Sequence, residues 1–389
     1  MTQNLHTLTP QTAPDLGTLF EPMRIRGLTL RNRIVVSPMA TYSAVDGYAT
    51  DWHVQHIGKL AAGGAGLVFI EQSSVNTQGR ITHGCLGIWD DDHIAGLKRL
   101  ADIVRSFGAA SAIQIAHSGR KGASQRPWEG GGPLGDADIA ARGEGPWDIA
   151  APSAIAFDQG CQTPAEMTIE QIEAVVEDYR LAFERALKAG FDIAELHCAH
   201  GYLMHSFLSP LGNQRTDEYG GDREGRMRLP LRIAAMMRDM WPEDRPCFVR
   251  ISSVDGVDIG WGLDDSVAFA AALKAIGIDV VDCSSGGFKL PAQNSLVART
   301  PGFQLPFSER IRKETGVLTM GVGLIRTGEQ AAAALAEGRC DLVAIGRELL
   351  WNPNWPAQVA VEMGVPDAWK LWPDQYNWWL RRRQVQQGR

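Results

Sequence analysis

Residues 191–202 read Phe-Asp-Ile-Ala-Glu-Leu-His-Cys-Ala-His-Gly-Tyr. The apolar start of this stretch predicts a buried strand, and polar side chains at the carboxyl end of such a strand point into the mouth of a barrel rather than its core. His197 and His200 can each donate a hydrogen bond to one oxygen atom. Tyr202, with an ordinary pKa of about 10, keeps its proton near neutral pH and can deliver it. The stretch therefore predicts a site for a carbonyl compound.

Short apolar runs of this kind alternate with helical stretches along the chain. The clearest helix start is Thr168, a predicted N-cap with Gln171 three residues later, as in a capping box. The eight predicted strands are 32–39, 66–71, 111–116, 191–196, 247–251, 279–284, 317–321 and 341–346. Eight parallel strands covered by helices close a (β/α)8 barrel. An open doubly wound sheet would carry a Gly-x-Gly-x-x-Gly turn after its first strand, and this chain has none there.

The predicted fold class is therefore α/β, a single (β/α)8 TIM barrel over residues 18–355. Residues 1–17 are polar and contain proline, so we expect a flexible lead-in. Residues 121–147 are rich in Gly and Pro and form a long excursion after strand three. Loops of this length are usually functional, which predicts a position over the active-site face, with a mere surface insertion as the alternative. Residues 356–389 are predicted to form a C-terminal extension.

Composition excludes several classes of partner. The chain has 389 residues, a formal net charge of -7 and no compensating basic stripe, which argues against nucleic acid or an anionic membrane. We find no signal peptide and no apolar run near the length of a membrane span.

The six cysteines lack paired spacing and are interpreted as reduced thiols of a cytoplasmic protein. A His-x-x-His motif is also half of a zinc site, but no third ligand has suitable spacing, so we expect no metal.

Polar residues and glycines gather at the predicted strand ends. They are Ser37 and Tyr42 after strand one, Gln72 after two, Gln114 within three, Arg250 within five, Gly321 and Gly323 after seven, and Gly346 and Arg347 after eight. Backbone amides exposed by glycine, together with one guanidinium, cradle a phosphate monoester. A phosphate at one end and amide and guanidinium groups in the middle suit FMN. Arg250 would stabilise negative charge near the pyrimidine ring of the reduced flavin, and Gln114 would pair with its carbonyl and imide edge.

Some of these residues also have structural interpretations. Arg250 is costly inside an apolar strand unless it is paired, so an ion pair with a carboxylate such as Glu195 is the alternative to a flavin contact. The alternative to a cofactor contact for Gln114 is a structural role in one side-chain layer of the barrel interior. The alternative to a substrate or flavin contact for Tyr42 is packing alone. His117, close to Gln114, is interpreted as structural.

Five motifs, in this order, carry a resemblance to a known family. They are Leu-Arg-Asn-Arg-Ile-Val-Val-Ser-Pro-Met at 30–39 with Tyr42, Asn76-x-x-Gly-Arg80, Gln-Ile-Ala-His-Ser-Gly-Arg at 114–120, His197-x-x-His-Gly-Tyr202, and Asn-Gln-Arg-Thr-Asp-Glu-Tyr-Gly-Gly at 213–221. Over roughly residues 18–355 the chain resembles the Old Yellow Enzyme family of FMN-dependent ene-reductases. The spacing around Tyr42 and the sequence at 346–350 are similar to its bacterial, thermophilic-like branch, which includes xenobiotic reductases.

The resemblance implies an NAD(P)H-dependent flavin oxidoreductase that acts on C=C bonds of activated alkenes. NADPH or NADH would reduce FMN, and hydride would then pass from FMN to the β-carbon of an α,β-unsaturated carbonyl compound. His197 and His200 would hold the carbonyl oxygen, and Tyr202 would be the proton donor. Tyr42 would contact the substrate. The implied FMN contacts after the first two strands are Ser37, Pro38, Met39, Ala40 and Gln72.

Two positions depart from the pattern of this branch. Ala40 occupies the position of a cysteine that typically contacts the flavin and tunes its potential, and alanine can neither polarise nor hydrogen-bond there. Gln72 stands where a small residue is usual, and its larger side chain would reshape the flavin edge. Flavin potential and substrate preference are therefore left open.

The C-terminal extension is rich in aromatic residues, which are Trp369, Trp372, Tyr376, Trp378 and Trp379. Such a terminus buries its rings, and the resemblance implies an arm that packs at a neighbouring subunit's active site. We therefore predict a homodimer or larger assembly. Trp378 or Trp379 would reach the partner's site, with Trp378 counted among the substrate-binding residues.

Other functions compete with alkene reduction. A non-catalytic FMN-binding or redox-sensing protein is conceivable because of Ala40, and a nitro or xenobiotic reductase would use another acceptor. A flavin-free aldolase or isomerase would need a lysine or carboxylate base at a strand end, and none stands out. Larger relatives append an iron–sulfur site, for which the chain has no cysteine cluster. The physiological substrate, the stereochemistry and the choice between NADH and NADPH are not decided by the sequence.

Overall fold

The computed structural model describes residues 16–288 and 297–386. Most of the predicted lead-in lies outside the described residues, as do the last three residues of the predicted C-terminal extension. Within these ranges, eight parallel strands close a barrel, because the eighth strand pairs with the first and the first pairs with the second. At least one helix connects each strand to the next. The predicted (β/α)8 barrel is confirmed.

The barrel elements have the following bounds. The strands are β1 Ile34–Val36, β2 Leu67–Ser74, β3 Ala110–Ala116, β4 Ile193–Cys198, β5 Cys247–Ser252, β6 Val280–Ser284, β7 Leu318–Gly321 and β8 Leu342–Ile345. The helices are α1 Asp51–Ala61, α2 His93–Ser106, α3 Ile169–Ala189, α4 Arg223–Met240, α5 Leu263–Ala275, α6 Leu305–Thr315, α7 Gly328–Ala336 and α8 Trp355–Glu362. Short helices precede α4 at Leu203–Leu208 and α8 at Arg347–Trp351. Every predicted strand is present, with bounds shifted by at most three residues.

Helix α3 shows how local sequence sets an element. The Thr168 hydroxyl accepts a hydrogen bond from the Gln171 N–H, which confirms the predicted capping box. Gly190 ends the helix with φ +83°, a left-handed conformation that glycine adopts without a Cβ clash. Ile172 and Phe183 lie on its buried face and pack into the layer between helices and strands. The N-cap, the C-terminal glycine and the apolar face therefore all specify the same helix.

Apolar side chains fill the barrel and close its amino end. Phe69 on β2 and Phe248 on β5 are buried in its interior with ring centroids 6.3 Å apart. A hairpin of two short strands, Met23–Ile25 and Leu28–Leu30, adds Ile25 and Leu30 to the same buried cluster. The carboxyl ends of the strands are therefore the face left for a ligand, as in other barrels of this class.

The excursion at 121–147 is more ordered than the sequence indicated. It contains a helix, Asp136–Arg142, which periodicity did not reveal because seven residues make only about two turns. Arg126 forms two hydrogen bonds to Glu144, of 2.8 Å from Nη2 to Oε1 and 2.7 Å from Nη1 to Oε2. Arg126 Nε also donates to the Tyr42 carbonyl oxygen at 3.2 Å. The excursion therefore lies against the loop that follows β1.

The predicted C-terminal extension, residues 356–389, includes all but the first residue of α8, the eighth barrel helix. Beyond α8, a helix at Asp374–Gln386 ends the described chain. Trp372 is buried, and its indole N–H donates to Asn354 Oδ1 at 3.0 Å. The Trp378 and Trp379 side chains remain more than half exposed. No helix in the described ranges combines the length and apolar character needed to cross a bilayer.

Candidate active site

A cavity of about 810 Å³ opens at the carboxyl ends of β1 and β5 to β8. This volume lies within the range of about 300–1,000 Å³ that is typical of small-molecule sites. Several of the residues predicted to bind a cofactor line it, namely Ser37, Pro38, Met39, Arg250, Gly323, Gly346 and Arg347. The structure thus brings together groups that are up to 310 residues apart in the chain, from Ser37 to Arg347.

The cavity lining carries more positive than negative side chains. Sequence reasoning missed Arg299, in the loop after β6, and Arg326, which follows the Gly321-Val-Gly323 turn closely enough that the turn was a usable signal. With Arg250 and Arg347 they make four guanidinium groups against two lining carboxylates. Such a lining favours an anionic ligand. The residues present therefore fit the phosphate group of FMN.

Arg250 is ion-paired, but not with the carboxylate that the sequence suggested. Its Nε lies 3.0 Å from Asp282 Oδ2 without hydrogen-bond geometry. Glu195 instead accepts a hydrogen bond of 2.8 Å from Gln114 Nε2. Strand register explains the difference, because Arg250 stands beside Asp282 and Gln114 beside Glu195. The alternative of Glu195 as the partner of Arg250 was wrong, and Arg250 both pairs and lines the cavity.

Buried polar atoms in neighbouring strands are left without partners. Gln72, Gln114 and Glu195 lie side by side across β2, β3 and β4. Buried polar atoms are nearly always hydrogen-bonded, yet Gln72 Oε1, Glu195 Oε2 and Arg250 Nε have no hydrogen-bond partner within the described residues. Burial also raises the pKa of Glu195. Of these residues Arg250 lines the cavity, and a ligand with hydrogen-bonding edges, such as the isoalloxazine ring, would give its Nε a partner.

His197, His200 and Tyr202 form one compact group. The ring centroid of His197 lies 5.1 Å from that of His200 and 5.2 Å from that of Tyr202. The Ala199 N–H donates to His197 Nδ1 at 3.2 Å, which leaves the proton of a neutral imidazole on Nε2. Burial lowers the pKa of both histidines well below its ordinary value and raises that of Tyr202. The group therefore offers two neutral imidazole donors and a protonated phenol.

The backbone at His200 is held in an unusual conformation. Its φ is +62°, a left-handed value that costs a residue with a Cβ roughly 1–2 kcal/mol. The His200 N–H donates to Ser252 Oγ at 2.9 Å, and its carbonyl accepts from Lys121 Nζ at 2.9 Å. The His200 Nε2 atom lies 2.8 Å from Ser284 Oγ. Lys121 was not predicted as a site residue; its only sequence signal is its position at the start of the excursion.

Tyr42 stands at the edge of this site, next to the excursion. Its φ is +48°, and the ring centroid of Trp128 lies 6.2 Å from its own. Burial raises the pKa of Tyr42, so its hydroxyl stays protonated. The adjacent Thr41 N–H donates to Glu71 Oε2 at 2.5 Å, and Glu71 is itself buried. Glu71, like Lys121, was not among the predicted site residues.

Other predicted site residues lie elsewhere. The predicted site residues of the barrel that do not line the cavity are Ala40, Tyr42, Gln72, Gln114, His197, His200, Tyr202 and Gly321. A Cβ at Gly321 would stand 2.7 Å from Leu305 Cδ2, so this glycine serves packing rather than ligand access. Trp378 lies on the terminal helix, where Arg382 sits 3.7 Å from its ring centroid. Within the described residues, no group of three or more His, Cys, Asp or Glu side chains could hold a metal ion.

Comparison with known proteins places this chain in a family of flavin oxidoreductases. The family model described as the NADH:flavin oxidoreductase / NADH oxidase family matches residues 18–366. The "NADPH dehydrogenase" of Geobacillus thermodenitrificans is 46% identical over 349 residues, which cover 89% of this chain and 95% of that protein. That of Bacillus subtilis is 43% identical over the same length. The solved structure of morphinone reductase, 24% identical, shares the fold with a TM-score of 0.72 over 91% of each chain.

Proposed function

Because the chain belongs to the NADH:flavin oxidoreductase / NADH oxidase family, the Old Yellow Enzyme family of the sequence analysis, we propose that it is an ene-reductase. It is an FMN-dependent oxidoreductase with NAD(P)H as the reductant. The proposed acceptor is an α,β-unsaturated carbonyl compound. The observation that carries this proposal is the group of two neutral imidazoles and one protonated phenol, in which His197 stands in register beside Arg250 of the cavity lining.

Residues of the cavity lining, together with Gln114 on the neighbouring β3, are the proposed FMN contacts. Gly323, Gly346 and Arg347 would hold the phosphate, while Arg250 and Gln114 would meet the polar edge of the ring. When bound, FMN takes hydride from the nicotinamide and supplies it to the acceptor. Arg250 lies beside Asp282 and lines the cavity, so its guanidinium would stabilise negative charge on the ring.

The histidines and the tyrosine divide the remaining chemistry. His197 Nε2–H and the His200 imidazole would donate to the carbonyl oxygen, which polarises the C=C bond and stabilises the developing enolate. A single oxyanion-hole donor is worth about 2.7–4 kcal/mol in other enzymes. Tyr202 Oη–H would protonate the α-carbon as hydride reaches the β-carbon, and Tyr202 would then regain its proton from solvent. The acceptor thus gains one hydride and one proton.

An anaerobic titration of the purified protein tests the proposal in one cuvette. NADPH or NADH is added while the visible flavin band is followed, and 2-cyclohexenone is then added. Bleaching of the band and its return with the enone support the proposal. A band that bleaches but does not return would leave an FMN-binding redox protein or a reductase of another acceptor, such as a nitro compound, which a repeat with nitrobenzene distinguishes.

We also propose that the protein is a homodimer or a larger homo-oligomer. The exposed Tyr376, Trp378 and Trp379 on the helix Asp374–Gln386 support this proposal, because aromatic clusters of this kind are usually covered. Sedimentation of the wild type and of Trp378→Ala would test it. A monomeric wild type with full activity would contradict it.

A further inference from the structure

Lys121 is a partly buried cation with an unusual set of partners. Its Nζ lies 2.9 Å from the His200 carbonyl oxygen and 3.5 Å from that of Gly287. The same atom lies 4.4 Å from the ring centroid of Phe157 and 5.0 Å from that of Tyr202. Lysine is rarely buried unless it is paired, and here the described contacts are carbonyl oxygens and aromatic faces. Burial lowers the pKa of Lys121 to about 8.

These contacts join three loops at the open face of the barrel. Lys121 begins the excursion after β3, His200 lies after β4 and Gly287 lies after β6. The latter two loops touch directly, since a Cβ on Gly287 would stand 2.1 Å from the His200 carbonyl carbon. A single ammonium group therefore sits where the three loops meet and holds the carbonyl of a residue whose φ is +62°.

We propose that Lys121 is a positioning residue for the alkene reduction, which holds His200 in its strained conformation and stabilises the tyrosinate that forms at Tyr202. The inference rests on the proposed function. In the step concerned, the Tyr202 O–H bond breaks, a C–H bond forms at the α-carbon, and the electron pair of the O–H bond remains on the phenolic oxygen. A cation at the face of the ring favours that charge. Solvent then returns a proton to Tyr202.

The test compares Lys121→Met, which keeps the length of the side chain but removes its charge and its donors, with Lys121→Arg, which keeps both. Lys98→Met is the matched control, because Lys98 is exposed on α2 and pairs only with Asp102 among the described residues. Stopped-flow measurements on the holoenzymes give two rates, for FMN reduction by NADPH and for reoxidation by 2-cyclohexenone. Reoxidation is repeated in D₂O, and calorimetry measures the binding of cyclohexanone, which has no C=C bond to reduce.

In Lys121→Met we expect reoxidation to slow by on the order of tenfold or more, while FMN reduction changes less than about twofold. The solvent isotope effect should grow, because proton transfer from Tyr202 becomes more rate-limiting, and cyclohexanone should bind more weakly because His200 is displaced. Lys121→Arg should recover most of the reoxidation rate, and Lys98→Met should behave as the wild type.

Two results would overturn the inference while the proposed function stands. One is wild-type reoxidation and isotope effect in Lys121→Met. The other is an equal loss in both half-reactions together with a lower melting temperature, which would show a purely structural role. A wild type that 2-cyclohexenone does not reoxidise would instead remove the proposed function, and the inference with it.

Discussion

Replacing Gly201 with alanine would place a methyl group where the backbone of a second loop already lies. The added Cβ would stand 2.3 Å from the Gly287 carbonyl oxygen. Ordinary van der Waals contact begins at 3.4 Å, so the two loops would have to separate by about 1 Å. Gly201 lies between His200 and Tyr202, and its N–H donates to His205 Nδ1 at 2.8 Å. The displacement would therefore reach the proposed carbonyl-binding group directly.

Two costs follow from this geometry. Alanine at the φ of Gly201, +74°, costs about 1–2 kcal/mol of stability. A misplacement of about 1 Å at a reacting group costs on the order of 100-fold in rate. We therefore expect Gly201→Ala to be less stable in urea, and we expect reoxidation of its flavin by 2-cyclohexenone to be about 100-fold slower. Flavin reduction by NADPH should change far less.

Gly221→Ala separates the two costs. The φ of Gly221 is +72°, and a Cβ there would meet nothing within 4 Å. This variant carries the same backbone strain without the collision, so it should lose similar stability and keep its reoxidation rate. Urea unfolding and anaerobic stopped-flow absorbance measure both quantities. Equal reoxidation rates in the two variants would refute the reasoning, because strain alone would then account for Gly201→Ala.

Three further outcomes are expected. Tyr202→Phe should accept hydride from NADPH normally and be reoxidised by 2-cyclohexenone about 10²- to 10⁴-fold more slowly, since a general acid is lost; an unchanged stopped-flow rate would assign the proton to solvent. Arg347→Gln should weaken FMN binding by about 10- to 100-fold in a flavin-fluorescence titration, and an unchanged Kd would place the phosphate elsewhere. Burial lowers the pKa of His56 and of His117 to about 4, so between about pH 6.5 and pH 4 the unfolded chain binds more protons and stability should fall as the pH falls; a urea midpoint constant over this window would contradict it.

The parts of the fold that depend on local sequence could be predicted. The cap at Thr168 and the stop at Gly190 are decided within a few residues, and α3 begins and ends there. The strands could be predicted from short apolar runs, because a parallel strand that is buried on both faces has a continuous apolar sequence. The His197 and His200 pair was found for the same reason, since both lie within a few residues of the end of one strand.

The parts that depend on register and on long loops could not be predicted. The partner of Arg250 is set by the pairing of β5 with β6, which places Asp282 beside it, and no local pattern specifies that alignment. Lys121 reaches His200 across 79 residues of sequence, so its role appears only when the loops are folded. The helix at 136–142 was missed because so short an element carries little periodicity.

The excursion is hydrogen-bonded to the barrel loops near its ends, for example at Arg126, Gly145 and Trp147. Arg126 donates to the Tyr42 carbonyl, and the Trp147 indole donates to the Gln78 carbonyl at 3.1 Å. In the described chain, the hydrogen bonds of residues 127–143 stay within the excursion. Residues 127–143 can therefore diverge in sequence and length while the barrel core stays intact. For protein engineering, residues 127–143 are therefore a natural segment to randomise. Selection would act on the part of the excursion that lies beside Tyr42, while the proposed FMN-binding and carbonyl-binding residues stay unchanged.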